Sequence, residues 1–396
     1  MKKIALFHIF LLIFALFSNF QPLHYCFAKE ITEEDLGVSI QEEIDKIDFS
    51  VLDEYLQESG ISNELFDGNL TKDLVLAIVN GELKTDIVSV FEFLILSIKN
   101  DFSKYISSLL VVVVIVLLCS LFNAVKFDGS KNSVEKLIQF ICFSLVITIV
   151  VRLSSGIISQ SVDSILNMQK QMNVIFPILL TLMTGIGAVG SVAAYSPLIA
   201  FLSSVLSNLF TLVLLPIFSL ILVLSIVNNL SSNTKFNKLI DFFKSLFKWI
   251  VGFSFSVFFV FFSVQGMSAS ASDGVSIKTA KFAIKNYVPI LGGYVSEGVE
   301  VVKAGMFLIK NAVGFVGVIL TCSTIVLPLI SIAVFTLSLK FLAGVLEPVG
   351  NGTAVNILSA VSDSFKLLLT CLLVVFCVFV LTLFLMICSV SGAVIL

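Results

Sequence analysis

Beyond residue 28, five long stretches of this chain contain no charged residue, and they constrain its fold more than any other feature. Each is long enough to cross about 30 Å of hydrocarbon as an α-helix. Soluble domains carry charged residues at about a quarter of their positions, whereas the charged fraction here is only 13%. An all-α, polytopic membrane protein is therefore predicted, and the stretches are Ser107–Val125, Gln171–Thr234, Trp249–Ser272, Asn311–Leu339 and Leu367–Leu396.

Residues 1–28 have the pattern of a secretory signal peptide. Lys2 and Lys3 precede an apolar stretch, and Cys26-Phe27-Ala28 offers small residues at the two positions that signal peptidase reads. We expect cleavage after Ala28. The alternative is an uncleaved membrane anchor, because the apolar stretch is near spanning length. In both cases residue 29 starts outside the cytoplasm.

The segment 29–104 is strongly acidic, with 18 Asp and Glu against 6 Lys, whereas residues 105–396 hold 9 acidic residues against 16 basic ones. Thr71, two residues before Asp73, is one of several helix-start signals in the acidic segment. We therefore expect a small helical extracytoplasmic region followed by a membrane domain. The acidic surface is either a solvated face or a docking surface for a basic partner.

Histidine and cysteine usage excludes several classes of function. His8 and His24 both lie in the signal segment, and the chain has no Cys-x-x-Cys pair. The mature chain thus lacks an imidazole for acid–base catalysis and the ligand spacing of a zinc site. We expect no enzymatic activity, no metal, no cofactor and no nucleic-acid partner.

Proline-containing motifs recur in the membrane domain and predict an internal duplication. The repeat units are about 137–248 and 249–366, and a final span covers 367–391. Each unit holds a plain span, a Pro-Ile-Leu segment and a longer proline-containing span. The motifs at one common offset are Phe176-Pro177-Ile178-Leu179 with Val288-Pro289-Ile290-Leu291, and Leu215-Pro216-Ile217 with Leu327-Pro328-Leu329.

Charge predicts about six crossings. The lysine-rich loops around 126–136 and 235–248 are cytoplasmic by the positive-inside rule. The Pro-Ile-Leu segments, 174–194 and 287–309, are then re-entrant or interfacial, since the second carries charges that are costly in lipid. Eight spans in an inverted repeat are the alternative. The prolines at 177, 216, 289 and 328 are candidate helix breaks, either as structural kinks or as parts of a permeation site.

Motifs concentrated between residues 264 and 350 resemble those of the stage III sporulation protein AE family of endospore-forming Firmicutes. The resemblance extends from about residue 107 to the end of the chain and is weak in the acidic segment. Glu347 departs from it, because a polar amide is expected there. The motifs are Val264-Gln265-Gly266, the run from Ser272 to Phe282, Asn286-Tyr287-Val288-Pro289, Leu308-Ile309-Lys310-Asn311 and Leu346-Glu347-Pro348-Val349-Gly350.

The resemblance implies a permease-like, multi-pass subunit of a secretion-like channel complex that is required for endospore development. It implies a place in the mother-cell membrane around the forespore. The implied partners are an ATPase, ring-forming proteins and a forespore protein, beside the lipid bilayer. An autonomous secondary transporter and a non-conducting membrane scaffold stay open as alternatives.

Resemblance and charge together single out six residues that could line a vestibule or bind partner subunits. The alternative for them is an amphipathic interfacial helix without a role in transport. The residues are Asp273, Lys278, Lys281, Glu297, Glu300 and Lys303.

Reporter fusions placed after residues 240 and 275 test the number of spans. With six spans, we expect the first fusion to be active in the cytoplasm and the second outside, because one span lies between them. Eight inverted spans require the opposite assignment at both sites. An alkaline phosphatase and β-galactosidase fusion pair at each position distinguishes the two.

Overall fold

The computed structural model describes residues 40–45, 47–50, 52–54, 71–80, 87–124, 132–230, 235–287, 292–349 and 352–389. Within these ranges every regular element is helical, which confirms the predicted all-α class. The helices are α1 (Thr71–Val79), α2 (Ile87–Ala124), α3 (Asn132–Ile186), α4 (Val189–Phe201), α5 (Leu215–Leu230), α6 (Asn237–Tyr287), α7 (Gly292–Leu346) and α8 (Gly352–Cys388). The predicted signal peptide, 1–28, lies outside the described residues.

Six described helical stretches are long and apolar enough to cross a membrane, in agreement with the predicted number of about six. Their length and composition allow each of them to cross a membrane, whereas the number of crossings and the sidedness of the chain stay predictions. The stretches are Ile98–Leu121, Leu137–Ile186, Ser204–Leu230, Asn237–Phe261, Val301–Leu346 and Gly352–Cys388.

Two of these helices are much longer than a bilayer is thick. α3 and α7 contain 55 residues each, which corresponds to about 80 Å, whereas the hydrocarbon layer measures about 30 Å. α3 joins the predicted plain span to most of the first Pro-Ile-Leu segment, and α7 joins most of the second to the span that follows. Where they are described, the Pro-Ile-Leu segments thus continue into the neighbouring spans without a re-entrant turn inside these two helices. The interfacial alternative stays a prediction.

The candidate helix breaks behave differently from one another. Pro177 and Pro328 lie inside α3 and α7, and neither proline ends its helix. Pro216 is the second residue of α5, a helix that directly follows the π-helical segment Leu209–Leu214. Because proline cannot donate to the carbonyl four residues earlier, a wider π turn at this place accommodates the missing bond. Pro289 lies outside the described residues.

A glycine ends α3. Gly187 has a φ of 92°, a left-handed conformation that glycine adopts without a steric penalty. The amides of Gly187 and Ala188 donate to the carbonyl oxygens of Thr184 and Met183, at 2.9 Å each. These bonds satisfy carbonyls that the helix end leaves free, and the chain can then turn into α4.

α7 is the central helix of the bundle and packs against α2, α3 and α8. α8 runs antiparallel to it, since the rings of Phe335 and Phe365 lie 5.0 Å apart and Gly314 faces Ile387 at the other end. From residue 303 to residue 336, no described side chain of α7 is fully exposed. The core of the protein therefore follows this helix.

Large apolar side chains cover much of the outer surface of the other helices. Exposed apolar surface of this extent is unfavourable in water, and a bilayer would remove it from water. Together with the six apolar stretches, it identifies a membrane protein. Examples are Leu110 (57% exposed), Leu121 (62%), Phe140 (67%), Trp249 (67%) and Phe253 (56%).

Part of the acidic region is also described. Ile44 and Leu52 are fully buried, and the Asp53 carboxylate accepts a hydrogen bond from the Thr71 amide at 2.8 Å. This bond connects the 52–54 turn to the start of α1, which packs against α7. The apolar face of this small region thus rests on the membrane domain.

Gly314→Ala tests the close approach of α7 and α8. A Cβ at this position would lie 2.5 Å from Cγ1 of Ile387, so we expect a loss of stability of about 1–3 kcal/mol. Gly344 lies on the same helix with no atom within 4 Å of such a Cβ, and Gly344→Ala should be neutral or stabilising. Thermal unfolding in detergent, followed by circular dichroism, measures both; equal midpoints would contradict the packing.

Candidate functional site: polar contacts along the central helix

The six residues predicted from charge lie on two consecutive helices. Asp273, Lys278 and Lys281 are in the second half of α6, and Glu297, Glu300 and Lys303 are in the first turns of α7. Of these side chains only that of Lys303 is described, and it is half-buried. Their role in a vestibule or in partner binding stays a prediction. The described part of α7 holds three other polar contacts.

The first is the lysine contact, at the end of α8. Lys310 is fully buried, with 0% of its surface exposed. Its Nζ donates hydrogen bonds to the carbonyl oxygens of Met386 at 3.2 Å, Ile387 at 2.9 Å and Ser389 at 2.8 Å. The Phe307 ring lies 4.9 Å from the same Nζ, within range of a cation–π interaction. One ammonium group thus donates hydrogen bonds to three carbonyl groups at the end of α8.

The end of α8 explains why a cation is tolerated here. The last four carbonyls of a helix have no donor within it, and the helix dipole places partial negative charge at that end. A buried ammonium without such partners would be very costly. No described carboxylate forms an ion pair with Lys310, so the α8 carbonyls supply its compensation.

The second is the glutamine contact, between α3 and α7. Gln171 is fully buried, and its Nε2 donates to Oγ1 of Thr324 at 2.6 Å and to the carbonyl oxygen of Leu320 at 3.3 Å. Thr324 lies one turn before Pro328, and Leu320 lies one turn earlier. Proline has no amide for the carbonyl of Thr324, so the contact falls where the helical bonding of α7 is incomplete. It holds the two helices in one register.

The third is the aspartate contact, between α2 and α7. The Ser331 hydroxyl donates to the Asp101 carboxylate, and one turn further on the rings of Tyr105 and Phe335 lie 5.5 Å apart. Ser331 is about 30 Å from Lys310 along α7. The two ionisable contacts are therefore separated by about the thickness of the hydrocarbon layer, so both cannot lie at its centre.

These contacts can position helices, and their groups are occupied by hydrogen bonds within the bundle. Among the described residues, no cluster of His, Cys, Asp and Glu could hold a metal ion. Sequence reasoning did not select Gln171, Asp101 or Lys310 as site residues. The sequence does mark Lys310, because it is a single charge directly before the uncharged run that starts at Asn311. Gln171 stands among polar neighbours, and nothing in the local sequence distinguishes it from them.

Comparison with known proteins identifies the family. A family model described as stage III sporulation protein AE matches residues 70–390, which include all three polar contacts. This chain belongs to the stage III sporulation protein AE family. The stage III sporulation protein AE of Bacillus subtilis (strain 168) is 26% identical to it over 271 residues, which is 68% of each chain. No solved structure matches the chain.

The family match confirms the resemblance seen in the sequence motifs and extends it. The motifs covered the chain from about residue 107, whereas the match to stage III sporulation protein AE begins at residue 70. It therefore includes α1, which packs against α7. A role in sporulation follows from membership of this family.

Lys310→Met tests the lysine contact in this member of the stage III sporulation protein AE family. The carbonyls at the end of α8 lose their donor, so we expect a loss of stability of about 1–3 kcal/mol and faster amide exchange in the last turn of α8. Hydrogen–deuterium exchange with mass spectrometry measures the second effect. Lys366→Met is the control, because the Lys366 side chain is 44% exposed and pairs with Asp363, and an ion pair of this kind contributes about 0–1 kcal/mol. Similar exchange in both variants would rule out this role of Lys310.

Proposed function

We propose that this family member is the permease-like membrane subunit of the channel or secretion complex between mother cell and forespore, required for endospore development. The observation that carries the proposal is the family match over residues 70–390, which contains all six candidate spans in full. We place the chain in the mother-cell membrane around the forespore, crossing it several times.

The packing of the bundle supports a role as one subunit among several. The space between α3, α7 and α8 is filled by fully buried side chains, among them Ile175, Leu179, Val313 and Leu383. A passage between these three helices within one chain is thereby blocked. Conduction would then use a surface outside this core, in an assembly with partner subunits.

The same packing favours one alternative, a non-conducting membrane scaffold that positions the other subunits. An autonomous secondary transporter has less support, because alternating access uses a binding site that opens between packed repeats. The proposed partners are an ATPase, ring-forming proteins and a forespore protein. The charged ends of α6 and α7 are the proposed vestibule or partner-binding surface.

Glu297→Gln combined with Glu300→Gln tests that surface. We expect expression of a forespore reporter gene to fall close to the level of a strain that lacks this chain, because both negative charges are removed from the first turns of α7. Co-purification of the complex shows whether assembly persists. The control is Glu42→Gln with Glu54→Gln, an equal charge change at two exposed positions outside the family match.

The outcomes separate the candidate functions. Normal reporter expression in the Glu297 and Glu300 variant would remove the site from the proposal. Lost expression with an intact complex indicates conduction, whereas a complex that fails to assemble indicates a scaffold. Solute uptake by the purified chain alone in liposomes, driven by an ion gradient, would overturn the subunit role.

A further inference from the structure

The start of α6 combines exposed lysines with exposed aromatic side chains. Lys235, Lys238 and Lys248 are exposed, and Lys244 is half-buried. We call these four lysines, with Phe242 and Trp249, the α6 patch. Phe242 is 59% exposed and Trp249 is 67% exposed. Residues spaced as Lys238, Phe242 and Trp249 share one face of a helix, so one cation and both rings lie along the same outer stripe. Lys248 and Lys244 lie about 100° and 140° round the helix from Trp249.

The inner face of the same helix holds it against the bundle. Ile240, Phe247 and Val251 are buried and recur at helical spacing. The start of α6 is also closed by hydrogen bonds: the Phe236 amide donates to Oδ1 of Asn228 at 2.6 Å, and Nδ2 of Asn228 donates to Oδ1 of Asn237 at 2.8 Å. The α6 patch is thus presented on a fixed backbone.

The charge of the α6 patch is not neutralised within the described structure. Among the described residues, none of its four lysines forms an ion pair, and Asp241 is the single carboxylate between Lys235 and Trp249. The patch therefore carries an excess of positive charge. Long lysine side chains can extend from an apolar surface to place their ammonium groups at phosphate level.

The exposed aromatic rings indicate that the α6 patch faces the membrane surface. Trp249 is the only tryptophan of the chain and begins the uncharged run that ends at Ser272, and tryptophan is enriched at the level of lipid headgroups. On an upright helix Phe242 would lie about 10 Å beyond Trp249, past a headgroup layer about 5–7 Å thick. Binding of the lysines to the phosphates therefore requires α6 to be tilted, so that both rings stay at the membrane surface.

We propose that the α6 patch is a binding site for anionic phospholipid headgroups, with Lys238, Lys244 and Lys248 on the phosphates and Trp249 at the edge of the hydrocarbon. Positive charge beside exposed aromatic rings fits an anionic membrane surface. The site is independent of the proposed function, because it requires no partner subunit and no conduction.

Fluorescence of Trp249 measures the lipid at this site. The full chain is placed in nanodiscs of phosphatidylcholine with a minor fraction of phosphatidylglycerol, with bromine on the acyl chains of one lipid or the other at equal total bromine. Brominated phosphatidylglycerol should quench Trp249 more strongly than brominated phosphatidylcholine does, because each lysine enriches the anionic lipid up to about five-fold. Added salt should reduce the difference.

Lys238→Gln, Lys244→Gln and Lys248→Gln together should abolish the difference in quenching, whereas Arg at the same positions should keep it. Lys72→Gln, Lys99→Gln and Lys170→Gln, an equal charge change on α1, α2 and α3, should leave it unchanged. Circular dichroism checks that each variant is folded.

Equal quenching by the two brominated lipids in the unmodified chain would overturn the proposal. Should the lysine variant also lose sporulation in that case, the α6 patch serves a protein partner instead of a lipid. A difference in quenching that survives in the lysine-to-glutamine variant would equally exclude these lysines as the site.

Discussion

A backbone in hydrocarbon must make its hydrogen bonds within the protein, because no water is present to replace them. This constraint accounts for the helical form of the described membrane domain and for the way its irregularities are handled. The π turn before Pro216 keeps the chain helical, and Gly187 gives the last carbonyls of α3 new donors. At the end of α8 the same need is met by the side chain of Lys310.

The lysine, glutamine and aspartate contacts all lie on α7. It lies between α2, α3 and α8, and each of these neighbours contributes one polar contact to it along about 30 Å of its length. Apolar side chains pack favourably in several registers, whereas a buried polar group has few positions in which its hydrogen bonds are made. The lysine, glutamine and aspartate contacts therefore select one register for each neighbour, and the small residues Gly314 and Gly317 allow close approach.

This architecture suits a protein that works by position within an assembly. The described core is closed, while charged groups collect at helix ends: the second half of α6, the first turns of α7 and the α6 patch. The proposed complex between mother cell and forespore would need subunits whose orientation in the bilayer is well defined. The polar contacts fix the helices relative to one another, and a lipid-binding patch would fix the bundle relative to the membrane.

The membrane helices and the family could be predicted from the sequence, because both depend on features that are local in the chain. Uncharged stretches such as Trp249–Ser272 predict membrane helices because the transfer of side chains and the bonding of a helical backbone depend on neighbouring residues alone. The number of about six apolar helices followed from these stretches, and the family followed from contiguous motifs. The continuous course of α3 through Pro177 did not, because a proline inside a helix can kink it or end it and the local sequence does not decide between these outcomes and a continuous helix.

Only the tertiary structure decided which polar groups meet. Gln171 and Thr324 are separated by 153 positions, and Lys310 is separated from its acceptors in and directly after the last turn of α8 by 76 to 79 positions. No local pattern encodes such pairs, since a partner for a buried donor is set by the register in which distant helices pack. The sequence by itself determined that the helices belong in a membrane, and the packing around α7 determined how they are held together there.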